Sequence, residues 1–189
     1  MTPHDGIVES PNTSPLPNTI ATPFTSVTPP PDWSTWQPTV RATLMFVVED
    51  GKVLLIQKKR GFGMGKVNGP GGKLDPGETE LACAVRETEE ELHVTAVDAV
   101  KRGELWFQFV DGLAMHVAVF HAERHEGQAT ETEEAVPVWT PIESIPFERM
   151  WADDIHWLHR MLTGTEQFLG TFLFDGDTML THEVTWRHA

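Results

Sequence analysis

The hydrophobic positions of this 189-residue chain fall into short runs that predict three β-hairpins. Three pairs of apolar runs are each separated by Asp-Gly, a dipeptide typical of tight hairpin turns. The paired runs are 43–48 with 53–57, 105–110 with 113–121, and 168–174 with 178–184. Six strands that pair as sequence neighbours are therefore expected.

Two stretches between the hairpins show helical spacing. The first predicted helix follows Thr79, a suitable N-cap, and turns inward an apolar stripe of Leu81, Val85, Thr88 and Leu92. The second runs from about 153 to 162, ends at Gly164, and turns inward Ile155, Leu158 and Leu162. Strand pairs interleaved with two helices predict an α/β fold, in which a mixed sheet is packed between helices.

The first 38 residues have a different composition from the rest of the chain. They are rich in Pro, Thr and Ser and contain three consecutive prolines at 29–31. Such a composition favours extended, poorly packed backbone. We therefore expect a disordered tail at 1–38 and one domain at 39–189, although Trp33 and Trp36 are aromatic groups that could dock onto that domain.

Charge and cysteine content narrow the class of protein. A net charge of -14 argues against a surface that tracks long nucleic acids, because such surfaces are usually basic. No stretch of about twenty apolar residues or secretory leader is visible, so no membrane span is expected. The single cysteine, Cys83, permits no internal disulfide and is expected to be buried in the first helix. We expect a cytoplasmic monomer.

Three acids share one face of the first predicted helix. At about 100° per residue, Glu87, Glu90 and Glu91 lie together and point away from the apolar stripe. This face could be a solvated charged surface, or it could hold a hard divalent cation such as Mg²⁺, with Mn²⁺ as a substitute. Arg86 can reach Glu89 or Glu90 and hold a carboxylate. Glycines just before the helix, at 69, 71 and 72, would allow a ligand to approach the backbone closely.

The spacing of the loop and helix resembles the Nudix box. Gly72 is followed after five residues by Glu78, and after seven more by the run Arg86 to Glu91, which continues as Leu92-His93-Val94. His93 departs from the family pattern, which usually has glycine there. Histidine tolerates the left-handed conformation better than most residues, so modest strain is expected and not loss of function.

This resemblance implies an α/β/α sandwich whose loop and acidic helix cradle Mg²⁺. The implied metal ligands are Glu87, Glu90 and Glu91 with the carbonyl of Gly71, and Arg86 belongs to the implied catalytic set. Glu134, in the acidic loop 131–134, corresponds to a further metal ligand or catalytic base, although a solvated charge fits it as well.

Beyond the box, the chain is most similar to MutT homologues that hydrolyse oxidised purine nucleoside triphosphates. The segments that carry this similarity are 58–63, Asn68-Gly69, 145–147 and 151–154. The implied base-binding residues are Asn68, Asp153 and Asp154, with Trp151 as a stacking wall. The remaining implied substrate-binding residues are Thr43, Lys58, Phe62, Lys73, Phe107 and Met115. Val67 and Pro70 stand where these relatives carry bulky aromatics.

Several of these residues also have simpler interpretations. Asp153 or Asp154 could cap the second helix, and Phe107 and Met115 could be core residues. The basic run 58–60 with Lys66 could recruit a triphosphate or simply be solubilising lysines at a strand end.

The sequence as a whole predicts Mg²⁺-dependent hydrolysis of a small nucleotide, an oxidised purine triphosphate such as 8-oxo-dGTP or 2-hydroxy-dATP, to its monophosphate and pyrophosphate. Such a reaction would cleanse the nucleotide pool. Two alternatives stay open: a Nudix hydrolase for a nucleotide sugar or an RNA 5′ end, and a non-catalytic Nudix module that senses nucleotides.

Overall fold

A computed structural model describes residues 28–188. The strands are β1 (Val40–Glu49), β2 (Lys52–Lys58), β3 (Val67–Asn68), β4 (Val94–Val97), β5 (Val100–Phe109), β6 (Ala114–Ala122), β7 (Arg124–Gly127), β8 (Ala135–Pro141), β9 (Gln167–Asp175) and β10 (Thr178–Arg187). The α-helices are α1 (Glu80–Leu92) and α2 (Asp154–Thr163). Short 3-10 turns at Ile142–Ser144 and Phe147–Arg149 lead into α2.

Eight of these strands form one mixed sheet, in the order β10-β9-β5-β6-β1-β2-β3, with β8 on the other side of β2. β1 runs parallel to β6 and β5 runs parallel to β9, while the other pairs in this sheet are antiparallel. β4 and β7 form a separate antiparallel pair. All three predicted hairpins are confirmed as β1–β2, β5–β6 and β9–β10. The first turn needs positive φ angles, 49° at Asp50 and 72° at Gly51, which these residue types tolerate.

Each face of the sheet is covered by one helix. Because side chains alternate along a strand, β1 sends Phe46 towards α2, where it meets Trp157, and sends Met45 and Val47 towards Ala84 and Leu92 of α1. Both helices therefore bury apolar side chains against opposite faces of one sheet. The predicted α/β arrangement, with a mixed sheet between helices, is confirmed.

Helix α1 begins as predicted, because the Thr79 side chain accepts a hydrogen bond from the backbone N–H of Ala82 at 3.2 Å. It ends at His93, which has a left-handed φ of 58°. The predicted stripe is wrong at Leu81, which is 44% exposed, whereas Cys83 is buried as expected.

The predicted stripe of α2 is correct at Leu158 and Leu162 and wrong at Ile155, which is 59% exposed. Trp157 and Met161 are buried in its place. Single apolar residues are common on protein surfaces, so spacing alone could not choose between these positions. Gly164 ends the helix, as predicted, and its backbone N–H donates to the Arg160 carbonyl at 2.9 Å.

The predicted tail lies mostly outside the described residues. Its described end, 28–38, contacts the sheet through Trp33 and Trp36, and Trp36 stacks on Trp106 of β5 with ring centroids 5.2 Å apart. Within residues 28–188, neither helix is long and apolar enough to cross a membrane.

Candidate active site

The glycine-rich loop before α1 lies directly against β1. The backbone N–H of Thr43 donates to the Gly72 carbonyl, and that of Met45 donates to the Pro70 carbonyl, each at 2.9 Å. A β-carbon on Gly71 would overlap the Thr43 carbonyl, and one on Gly72 would overlap the carboxylate of Glu87. Glycine at these two positions therefore lets the loop pass between β1 and the acidic face of α1.

Glu91 is buried and not solvent-facing, which corrects the expectation that all three acids point away from the core. One carboxylate oxygen is 3.1 Å from the Lys58 ammonium, and the other accepts from the Gly71 N–H at 2.9 Å. Burial raises the pKa of Glu91, opposed by the positive charge of Lys58. The wheel argument failed because α1 is covered on two sides, by the sheet and by the glycine loop.

Arg86 binds three carboxylates, one in the loop before α1 and two on the helix. Its guanidinium makes two bonds to Glu78, at 2.8 and 2.9 Å, and single bonds to Glu87 at 2.9 Å and Glu90 at 3.1 Å. The Arg86 guanidinium lowers the pKa of Glu78 to about 2. Burial raises the pKa of Glu87, which Arg86 only partly offsets. Arg86 therefore orders three carboxylates from the loop and the helix.

A divalent cation fits the chemistry of this face. Within 28–188, no three acidic, histidine or cysteine side chains already converge as a ligand cluster. However, Glu87 and Glu91 are half-buried and buried carboxylates whose pKa values are raised by desolvation. Hard oxygen donors whose negative charge is incompletely compensated are suited to a hard cation such as Mg²⁺. Glu90 is exposed on the same face.

Glu134, just before β8, is held by an ion pair with Arg60. The neighbouring Lys59 pairs with Glu131 at 2.9 Å, so the basic run after β2 is matched by the acidic loop before β8. Both Arg60 and Glu134 line the main cavity.

That cavity has a volume of about 370 Å³ and lies on the α2 side of the sheet. All ten residues expected to bind substrate line it, although their individual roles stay predictions. They are Thr43, Lys58, Phe62, Asn68, Lys73, Phe107, Met115, Trp151, Asp153 and Asp154. Gly71 and Glu134 also line it, so the cavity adjoins the acidic face of α1.

Aromatic rings form one wall of the cavity. Phe62 stacks on Trp151 with centroids 5.0 Å apart and an interplanar angle of 15°. Phe109 and Phe174, which were missed in the sequence, stack on each other at 5.5 Å and meet Trp151 edge-on. The period-2 alternation of β5 could have identified Phe109, because it shares a strand face with Phe107.

Asp153 and Asp154 are both buried at the start of α2. One Asp153 oxygen accepts from the Trp157 indole at 2.9 Å, while the other has no hydrogen-bond partner. Asp154 accepts from the backbone N–H of Trp151 at 3.1 Å. Asp153 makes no capping bond with its side chain, so the helix-cap interpretation does not explain it. Burial raises the pKa of both groups, and the nearby Asp153 charge raises that of Asp154 further.

Asn68 and Lys66 complete the polar part of the cavity region. The Asn68 side-chain oxygen accepts from the Gly69 N–H at 2.8 Å. This hydrogen bond fixes the orientation of the amide, whose NH₂ group can then donate to other partners. The Lys66 ammonium lies 4.6 Å from the centre of the Trp151 ring and pairs with Asp177 at 2.9 Å. Lys66 therefore packs against the Trp151 ring of the aromatic wall without lining the cavity itself.

Comparisons with known proteins agree with this geometry. The NUDIX domain family model matches residues 38–161. The oxidized purine nucleoside triphosphate hydrolase of Danio rerio is 45% identical over 144 residues, which are 75% of this chain and 92% of the relative. The Mus musculus protein of the same name is 40% identical over the same shares. The crystal structure of a MutT protein from Bacillus halodurans is 28% identical, with a TM-score of 0.68 over 77% of this chain and 97% of that one. With a cavity, a glycine loop and an acidic helix arranged in this way, the chain belongs to the NUDIX domain family.

Proposed function

We propose that this protein is a divalent-metal-dependent hydrolase of oxidised purine nucleoside triphosphates, such as 8-oxo-dGTP and 2-hydroxy-dATP. The products would be the nucleoside monophosphate and pyrophosphate. The observation that carries the proposal is one cavity in which the residues expected to bind a purine adjoin basic residues and the acidic face of α1. Relatives that are 45% and 40% identical bear the name of this activity.

The base would bind at the α2 end of the cavity. The stacked rings of Trp151 and Phe62 form an aromatic surface against which the purine would pack, and Asp153, Asp154 and Asn68 offer hydrogen-bonding groups for the purine edge. Because burial disfavours two adjacent negative charges, one aspartate would stay protonated and donate while the other accepts. A pair with both donor and acceptor suits oxidised purines, whose edges present both kinds of group.

The phosphates would lie towards Lys58, Arg60 and Lys73, which line the same cavity. Their positive charges would offset the repulsion between an anionic substrate and a protein of net charge -14. Lys58 is already held by Glu91, so it would connect the phosphates to the acidic helix.

Glu87, Glu90 and Glu91, with the Gly71 carbonyl and Glu134, are the residues proposed to hold the metal, which we take to be Mg²⁺ with Mn²⁺ as a substitute. The bound ion would neutralise the phosphates and favour a hydroxide nucleophile. Arg86 would keep the carboxylates oriented, as it does through its bonds to Glu78, Glu87 and Glu90. Glu134 is the proposed alternative proton acceptor from water.

The protein would act as a monomer on a small nucleotide. A reducing compartment such as the cytoplasm suits its single, buried thiol, Cys83, whose pKa burial raises to about 11.

A nucleotide panel with Mg²⁺ and product analysis would test the proposal. The panel would contain 8-oxo-dGTP, 2-hydroxy-dATP, dGTP, dATP, a nucleotide sugar and an RNA with a 5′ triphosphate. We expect kcat/KM for the oxidised purines to exceed that for the normal ones by about tenfold or more, with monophosphate and pyrophosphate as products.

Two results would contradict the proposal. Preferred cleavage of the nucleotide sugar or RNA would assign another Nudix substrate. Tight nucleotide binding without turnover, in the presence of Mg²⁺ or Mn²⁺, would assign a sensing module instead.

A further inference from the structure

Residues 33–39, which we call the tryptophan strap, lie across the face of the sheet opposite the cavity. Trp36 stacks on Trp106 of β5 with an interplanar angle of 16°, and Trp33 packs against both rings with centroids 5.7 and 6.4 Å away. The family match begins only at residue 38, so both strap tryptophans lie before it.

Hydrogen bonds attach the strap to both strands of the β5–β6 hairpin. The Trp36 indole N–H donates to the Gln108 side-chain oxygen on β5 at 2.9 Å. Thr39 bonds to Ala114 on β6, with its backbone N–H and its hydroxyl both donating to the Ala114 carbonyl at 2.9 and 3.1 Å. The strap therefore spans the two strands near the end at which they turn.

The attachment points flank two residues of the cavity wall. Phe107 lies between Trp106 and Gln108 on β5, and Met115 follows Ala114 on β6. Phe107 and Met115 are direct cross-strand partners and both line the cavity. Since neighbouring side chains on a strand point to opposite faces, the strap holds the back of the same strands whose front forms the wall.

The Trp106 ring is itself anchored. Its indole N–H donates to Glu104 at 3.4 Å, and Glu104 is bound by His116 at 3.0 Å and by Lys101 at 2.7 Å. Lys101 also reaches Glu80 in the first turn of α1, at 2.9 Å. The strap thus rests on a polar network that joins β5, β6 and α1.

We propose that Trp36 is a positioning residue for the base-binding wall, and that the strap fixes Phe107 and Met115 from behind the sheet. As far as it concerns an oxidised purine, this inference rests on the proposed function. The strap leads straight into β1, whose Val40 pairs with Met115, so its docking also fixes the start of the strand beside the wall.

Full-length Trp36→Ala and Trp36→Phe variants would test this role. We expect Trp36→Ala to raise KM for 8-oxo-dGTP about fivefold while kcat changes less than about twofold, because the wall contacts the base and not the reacting phosphate. Trp36→Phe keeps a ring on Trp106 and should recover most of the affinity. An unchanged KM in Trp36→Ala would overturn the inference.

Trp139→Ala is the matched control, because Trp139 is a half-buried tryptophan of β8 that packs on the same face of the sheet, against the core on the α1 side. It should lower the melting temperature without changing KM. An equal rise in KM for Trp139→Ala would reduce the role of Trp36 to general stability.

Hydrogen exchange separates this inference from the proposed function. In Trp36→Ala, the amides of residues 107–115 should exchange about tenfold faster than in the wild type, and in Trp139→Ala they should not. If the wild type fails to hydrolyse 8-oxo-dGTP, the substrate proposal fails, and hydrogen exchange alone then tests whether the strap holds the β5–β6 hairpin. Unchanged exchange at 107–115 in Trp36→Ala would then overturn the role of the strap.

Discussion

Glu91 is the carboxylate that connects the helix, the glycine loop and the basic run, through Gly71 and Lys58. We expect Glu91→Gln to lower kcat by orders of magnitude, because it removes a charge from the proposed metal site. The glutamine oxygen can still accept from the Gly71 N–H, so the fold should remain intact. Turnover at saturating Mg²⁺ and the circular dichroism spectrum would measure the two effects.

Glu89→Gln is the control for that variant, because Glu89 is exposed on the same helix and outside the shared acidic face. It should leave turnover nearly unchanged. Near-full activity in Glu91→Gln would show that Glu91 is not a metal ligand.

Asp153 and Asp154 provide a test of base recognition at the residue scale. Asparagine has nearly the same volume as aspartate but a fixed donor and acceptor pattern, so each Asp→Asn variant changes recognition and little else. We expect either variant to weaken discrimination between 8-oxo-dGTP and dGTP by roughly 1–3 kcal/mol, measured as the ratio of kcat/KM values. Equal ratios in wild type and both variants would limit the pair to a structural role.

At the scale of elements, hydrophobic spacing predicted all three hairpins and both helices, but only some of the helix residues that are buried. Glu91 could not be assigned because its cover is the glycine loop, which no periodicity describes. Trp157 was missed because Ile155, three residues before the buried Leu158, also fits helical spacing. The similarity to MutT homologues beyond the Nudix box brought together residues distant in sequence, such as Asn68 and Asp153, which local patterns could not have placed in one cavity.

The glycine loop allows stability and activity to be separated. We expect Gly72→Ala to lower kcat strongly with little loss of stability, because its β-carbon would displace only the flexible end of Glu87. Gly71→Ala would meet the backbone of Thr43 instead and should destabilise the fold by more than about 2 kcal/mol. Denaturant unfolding and turnover of both variants would check this contrast, and equal stability losses would contradict it.

At the scale of the whole molecule, opposite effects on activity are expected from removing the Pro-rich start of the chain and from removing the strap. Residues 1–27 lie outside the described part, and they contain no Lys or Arg and only two acids. We expect their deletion to leave kcat/KM within about twofold, because their composition offers little apolar surface to bury. The tail boundary at 38 stays a prediction, but Trp33 and Trp36 have partners that residues 1–27 are not expected to share.

Enzyme assays and thermal melts of the chain starting at residue 28 would measure this. A chain starting at residue 37 lacks both strap tryptophans and serves as the comparison. Loss of activity in the chain that starts at residue 28 would show that residues 1–27 are needed for catalysis.

The position of Trp151 gives the protein an optical property. Of its seven tryptophans, Trp151 and Trp157 line the cavity, and Trp157 is fully buried behind the aspartate pair. Trp151 is the partly exposed one, between the Phe62 ring and the Lys66 ammonium. A purine that packs against the Phe62–Trp151 stack would change the fluorescence of Trp151, whereas the strap tryptophans behind the sheet would be unaffected. Binding of a purine in the cavity could therefore be followed by tryptophan fluorescence before any bond of the substrate is cleaved.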